Sequence, residues 1–266
     1  MSVTAEAMLV SPELAKEWLR QNTSNRRPSE KVVERYSRDM AAGRWIFNGE
    51  AVKIASSGKI LDGQQRLMAV VKADTEVLMM VVMGLDETTQ ASMDQGRART
   101  VADNLTIAGE PNASILASLG RRVWQWDQGN DRFTNHVTPT KAEVVATIQK
   151  YPSLRRSAEI GGRTANTYRV APASVVGTAH HILSPIAPGI AAEFFAQYET
   201  GADLRPGHPV LALRNRLSRD KLASKNVPFH LAVALFIRAW NGVVEDRLMD
   251  RLVHTAEENM PEISRP

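Results

Sequence analysis

The sequence predicts an α+β protein, with a small mixed sheet in an N-terminal domain over residues 1–100 and an all-α domain over 101–266. Three observations predict it. Before residue 100, short apolar runs alternate with segments of helical spacing, and after it almost every periodic segment is helical. The short runs are bounded by turn-forming Gly, Ser and Asp residues, as strands are. At 43% hydrophobic and 23% charged, the 266 residues have the composition of a globular chain long enough for one large core or two smaller ones.

The elements follow in order along the chain. Met8–Val10 reads as a short strand. It runs into Ser11-Pro12, a good N-cap and first helical position, after which Leu14, Ala15, Trp18 and Leu19 share a stripe. Residues 21–28 form a polar loop. Ser29 is placed to cap a helix through about Ala42, with Val33, Tyr36 and Met40 inward and Gly43 closing it. Ala51–Ala55 and Lys59–Leu61 read as strands about a Ser56-Ser57-Gly58 turn. Arg66–Ala73 is helical and buries Leu67, Val70 and Val71. Glu76–Met83 is almost purely apolar, which predicts a strand buried on both faces. Asp86 opens a helical region that carries Arg97, Arg99 and Asp103. Beyond it, Ile115–Trp126, Lys141–Lys150, Ala191–Tyr198 and Phe229–Trp240 have helical spacing, and Thr140 with Glu143 makes a capping-box pattern. Ser153–Ala173 is rich in Arg, Ser and Thr and weakly periodic, so it reads as a loop. There is no internal repeat.

Composition excludes several classes. The chain has no cysteine, which removes disulfides, thiolate nucleophiles and Cys-ligated zinc, and fits a reducing compartment. The six histidines show no metal-ligand spacing such as HExxH, so no metal site is assigned. The longest apolar run, Val77–Met83, is too short to span a bilayer, and no secretory leader is visible, so a cytoplasmic protein without a membrane partner is expected. The net charge is +4 but unevenly placed: residues 121–240 hold 16 Lys+Arg against 8 Asp+Glu. A basic middle suits a phosphate-rich partner such as DNA, and equally suits a solvated surface. Its densest part is Arg214, Arg216, Arg219 and Lys221.

The informative stretch is Ile60-Leu61-Asp62-Gly63-Gln64-Gln65-Arg66-Leu67-Met68-Ala69. It reads as a strand, a glycine turn and a helix with an arginine in its first turn. A helix start has unpaired N–H groups and a partial positive charge. Gly63 lets the backbone approach a ligand. Gln64 and Gln65 supply amide donors and acceptors. Arg66 supplies a permanently charged fork that matches phosphate oxygens. Together they form a candidate anion cradle. The rival reading is a turn with a solvent-facing arginine. Asp62 has two readings as well, a ligand for Mg²⁺ that accompanies phosphate, or a cap on the turn.

Gly63-Gln64-Gln65-Arg66-Leu67-Met68-Ala69 resembles the GxxRxxA phosphate motif of ParB partition proteins, within the ParB/sulfiredoxin superfamily. Asp62-Gly63-Gln64-Gln65-Arg66 is closer still to that superfamily's DGQHR variant, found in phage and mobile-element proteins. Upstream, Asn25-Arg26-Arg27-Pro28 and the helix from Glu30 resemble the family's Asn/Arg-rich box and following helix. The resemblance covers roughly residues 6–85. It implies a ParB-like N-terminal fold and a DNA-associated protein that binds a nucleoside triphosphate with Mg²⁺, or nucleic-acid phosphate. Arg26 and Arg27 would then approach phosphate from the facing loop, against a plain reading as loop solvation, while Asp94, Arg97 and Arg99 could close over a nucleotide or equally pair with each other on the surface. The family's usual His is Gln65 here. The cysteine of sulfiredoxins is absent, which excludes their chemistry, and the second nucleotide motif of ParB is not found.

Three function classes remain open at this point. The first is a nucleotide-binding, DNA-associated regulator, for which a homodimer is one open arrangement. The second is a nuclease or NTP-dependent phosphotransferase, with Glu30 as base or Asp62 as catalytic carboxylate. The third is a non-catalytic interaction module. A carboxylate at Glu30 also has a plain role, offsetting the dipole at its helix start.

Overall fold

Turn and cap chemistry sets the boundaries of the elements in the computed structural model, which describes residues 2–21, 28–93 and 100–266. The chain forms two compact units, Met1–Ala98 and Arg99–Pro266. In the first, strand β1 (Thr4–Val10) leads into helix α1 (Pro12–Arg20). The Ser11 hydroxyl accepts from the Leu14 amide at 3.2 Å, and Pro12 occupies the first turn, where its missing N–H costs nothing. Helix α2 (Glu30–Ala41) begins after Ser29, but the Ser29 side chain makes no capping bond. Strands β2 (Ala51–Ala55) and β3 (Ile60–Asp62) form a hairpin, followed by helix α3 (Gln64–Ala73), strand β4 (Val77–Leu85) and a 3-10 helix (Glu87–Ser92) capped by Asp86.

The sheet is mixed, in the order β1-β4-β2-β3. β1 lies antiparallel to β4, β4 parallel to β2, and β2 antiparallel to β3. Register places Val10 opposite Val77, Met8 opposite Met79, and Val52 beside Val81 on one face. There they meet Ala15 of α1, Val33 and Met40 of α2, and Leu67, Ala69 and Val70 of α3 in a single apolar cluster. Contrary to the expectation from its composition, β4 is buried on this face only. Its alternate residues Leu78, Met80 and Val82 are exposed or half-buried, because all three helices pack on the same side of the sheet.

The second unit is helical: α4 (Val101–Ile107), α5 (Ala113–Asp127), α6 (Lys141–Lys150), α7 (Leu154–Thr167), α8 (Ala173–Leu183), α9 (Pro188–Thr200), α10 (Pro209–Leu222) and α11 (Phe229–Val244). The Thr140–Glu143 capping box forms as expected, with Thr140 N to Glu143 Oε2 at 2.7 Å and Glu143 N to Thr140 Oγ1 at 3.0 Å. The expected loop at 153–173 is instead mostly helix α7. Its buried stripe is made of small residues, Ser157, Ala158, Gly161, Gly162 and Thr164, besides Leu154 and Ile160, so its apolar period is faint in the sequence. Those small residues let α7 lie directly on α8. A Cβ on Gly161 would sit 2.4 Å from the Ala173 carbonyl oxygen.

The apolar core of this unit gathers Phe194, Phe195, Tyr198, Phe236 and Trp240. The segment after α11, residues 245–266, has no helix or strand, yet Leu252 and His254 on it are buried. Side chains fasten its backbone. Arg132 donates to the carbonyls of Ala256 and Glu257 (2.9 and 3.0 Å), Trp240 Nε1 to Ser264 (3.0 Å), and Asn241 to Glu262 (2.7 Å). Backbone groups without a ladder need such partners when they pack against a core.

Gly161→Ala is expected to cost about 1–3 kcal/mol, because the neighbouring atoms it meets are helix backbone. Gly189→Ala in α9, with nothing within 4 Å of the new Cβ, is expected to be neutral or to stabilise by up to about 1 kcal/mol. Urea unfolding of the two variants beside wild type checks both signs.

Candidate functional site

The turn between β3 and α3 is built around a left-handed glycine. Gly63 has φ +96° and ψ 1°, a conformation that side chains disfavour. A Cβ there would also sit 2.9 Å from Val52 Cγ2 and 3.1 Å from Val52 Cα. Its carbonyl accepts from both Arg66 N and Leu67 N at 3.0 Å. Among the described residues no side chain caps this helix start, and the Gln64 and Gln65 amides are its open donors.

Asp62 braces the turn that precedes the helix. Its Oδ1 accepts from the Gly63 amide at 2.6 Å, and its Oδ2 accepts from Arg66 Nη2 at 3.1 Å. Arg66 Nη2 also donates to the Ala51 carbonyl at 2.9 Å, bridging the helix to the start of β2. Lys53, opposite Asp62 in the β2–β3 ladder, places its ammonium 3.8 Å from Asp62 Oδ2. The Arg66 side chain is 12% exposed. Its Nε and Nη1 make no hydrogen bond among the described residues, and the buried Gln65 Oε1 has no partner there either. One backbone amide, Gly63, and two cationic side chains, Arg66 and Lys53, thus surround the Asp62 carboxylate. The 3-10 helix closes one flank, where Gln90 Nε2 donates to the Leu61 carbonyl at 3.1 Å. Beside it, Ser57 and then Lys59 hold the Glu87 carboxyl below its usual range.

The structure brings together Asp62, Gly63, Gln64, Gln65 and Arg66, and adds Lys53 and the Ala51 carbonyl. Neither of the last two carries a local signal, beyond Lys53 being the one charge in an otherwise apolar strand. Glu30 stands exposed in the first turn of α2. Its neighbour Glu34 is ion-paired to Lys72 and ties α2 to α3. Arg26, Arg27, Asp94, Arg97 and Arg99 lie outside the described residues. Among the described residues, no cluster of three or more His, Asp or Glu side chains is arranged to hold a metal ion, and no helix is long and apolar enough to cross a membrane.

In the helical unit the basic stretch divides. Arg214 donates to the carbonyls of Tyr198 and Glu199 and stacks 3.8 Å from the Tyr168 ring centre. Arg216 donates to buried Asp220 at 2.7 Å and to the carbonyls of Leu252 (3.1 Å) and His254 (3.4 Å). Both guanidinium groups are therefore joined to the protein's own backbone. Arg219 is exposed, and exposed Lys221 reaches the Arg169 carbonyl. One contact not singled out in the sequence is Ser157 Oγ to His180 Nδ1, 2.9 Å. Ser157 is buried, and burial, with Arg156 and His181 adding to it, pushes His180 down to about 4. This is an interior hydrogen bond to a neutral imidazole.

Arg216→Ala is expected to destabilise the fold by about 3–5 kcal/mol, because it strands the Asp220 carboxylate in the interior. Arg219→Ala is expected to stay within about 0.5 kcal/mol of wild type, as an exposed position should. Thermal unfolding of the pair tests this division of the basic stretch.

Neither a protein-family model, nor a curated protein, nor a solved structure matches the chain.

Proposed function

We propose that this chain is a ParB-like, DNA-associated protein that binds phosphate, from a nucleoside triphosphate or from nucleic acid, at the Gly63–Arg66 turn. The observation that carries this reading is the uncapped start of α3, opened by a left-handed glycine and flanked by a fixed arginine. Open helix amides and a guanidinium fork are the donors that phosphate oxygens prefer. Gly63 shapes the turn. Gln64 and Gln65 present backbone amides. Arg66 meets the phosphate through Nε and Nη1 while Nη2 keeps it anchored on Ala51. Lys53 adds charge across the ladder. A nucleotide would bring Mg²⁺ on its own phosphates.

One observation favours a second reading. Both hydrogen bonds that Arg66 makes are internal, to Asp62 and Ala51, so the turn also works as a latch between α3 and the hairpin, in a module that binds no phosphate.

Arg66→Ala separates the two. Either reading predicts a loss of about 1–3 kcal/mol in stability, from the hydrogen bonds to a charged partner. Only the phosphate reading predicts that ATP, CTP, GTP or UTP with Mg²⁺, or a short DNA duplex, raises the melting temperature of wild type and not of the variant. A ligand at a hundredfold excess over its Kd stabilises by about 2.7 kcal/mol. If no ligand moves wild type in calorimetry or thermal shift, the latch reading stands alone.

A further inference from the structure

The helical unit holds a cavity of about 370 Å³ between the end of α5 and residues 260–263. That is the size of a small-molecule site. Both of its walls are fastened. On one side, the turn after α5 is closed by Gly129 N donating to the Trp126 carbonyl at 2.9 Å, and the Asn130 side chain bonds the Thr134 backbone. Trp126 itself stacks on Phe133, with ring centres 6.1 Å apart and planes at 18°. On the other side, Asn241 donates to the Glu262 carbonyl at 2.7 Å and Trp240 to the Ser264 carbonyl at 3.0 Å. These bonds engage the Glu262 backbone and leave its side chain exposed.

The lining joins two chemistries. Trp126, Met260, Pro261 and Ile263 make it apolar, and its charged members, Asp131 and Glu262, are both acids. Neither carboxylate has a hydrogen bond or an ion pair among the described residues. Carboxylates close by in the chain are paired: Glu258 lies 3.2 Å from Arg238, and Glu245 binds the Ser264 hydroxyl and Arg247. Arg132, next to Asp131 in the sequence, is committed to the carbonyls of Ala256 and Glu257. Two acids thus face one apolar cavity without a counter-charge, in a chain of net charge +4.

We infer that this cavity binds an organic cation, an alkylammonium or alkylguanidinium group on a short apolar chain. The chain lies on Met260, Pro261 and Ile263. The positive head is drawn to both carboxylates and to the indole, whose ring attracts cations within about 6 Å. An anion would meet two like charges. A neutral apolar ligand would leave both acids unpaired. A metal ion would find too few ligands, since no group of three or more His, Asp or Glu is arranged for one among the described residues. The cation has two sources, a free amine or guanidine, or a lysine or arginine side chain of a partner. The inference is independent of phosphate binding at Gly63–Arg66.

The test follows the Trp126 indole N–H of the full-length protein by NMR during titration with n-butylguanidinium, n-butylammonium and the neutral n-butylurea. Both cations should give saturable shifts centred on Trp126 and on the Gly129 and Glu262 amides. Butylurea should bind about tenfold more weakly or worse, having lost the carboxylate and ring attractions together. Asp131→Asn and Glu262→Gln should each weaken the cations by about twofold to fivefold, as partly exposed charge pairs do, and added salt should act in the same direction. Neither carboxylate has a partner to lose, so both variants should keep wild-type thermal unfolding, which separates lost binding from lost fold. A capped penta-alanine peptide with a central arginine separates the sources. Tighter binding than butylguanidinium assigns the site to a partner's side chain, and weaker binding assigns it to a free cation. The inference is overturned if butylurea binds as well as the cations, if the folded double variant binds them like wild type, or if no cation shifts Trp126 at tens of millimolar.

Discussion

Gly63 must lie against Val52 with a positive φ because three requirements meet at that residue. The hairpin has to end, α3 has to begin, and the helix has to leave the sheet at an angle that brings Leu67, Ala69 and Val70 down onto Val52, Ile54 and Val81. A Cβ at this point would crowd Val52 of β2, 2.9 Å from its Cγ2 and 3.1 Å from its Cα. From that contact the rest of the N-terminal unit follows. α3 crosses one face of the sheet and returns the chain as β4, parallel to β2. β4 then supplies the ladder on which β1 pairs. The Asp62–Arg66–Ala51 contacts brace the same corner electrostatically, so the residues that shape the fold are also those offered to a ligand. Polar groups concentrated at a tight turn serve both ends when the open donors point outward and the spent ones point in.

The helical unit solves a different problem. Close helix contact replaces large side chains at the α7–α8 crossing, where Gly161 and Gly177 allow backbone to meet backbone. Elsewhere arginine acts as an internal fastener. Arg132, Arg214 and Arg216 each bridge main-chain carbonyls, and Arg122 lies 4.2 Å from the Phe229 ring centre. A guanidinium can do this because its five donors are planar and its charge is diffuse. The excess of basic residues in the middle of the chain is thus partly consumed by its own carbonyls, and net charge overstates the positive surface.

Much of the fold was legible where a local signal exists. The strand Ala51–Ala55, the helix at Lys141–Lys150 and the Thr140–Glu143 box follow from alternation, periodicity and capping, each confined to a few residues. Helix α7 was not legible, because Ser157, Gly161 and Thr164 form a buried stripe that a hydrophobicity pattern does not register. The single-sided burial of β4 was hidden for another reason: Leu78, Met80 and Val82 are apolar although they lie on the face away from α1, α2 and α3. At the turn, Gly63 and its neighbours stood out as a motif, and Asp62 bracing the turn was one of two readings the sequence left open. Lys53 and the Ala51 carbonyl could not be assigned, since only strand pairing brings them beside Asp62 and Arg66.

The most direct measurement is an amide NMR titration of the full chain with Mg²⁺–nucleotides and with a short DNA duplex, following the Gln64 and Gln65 backbone amides and the Arg66 Nε–H. Binding of phosphate at the start of α3 predicts saturable shifts that are largest at these groups and at Gly63. Shifts confined to other surfaces, or none at concentrations up to millimolar, would contradict the phosphate reading and leave Arg66 as a structural latch.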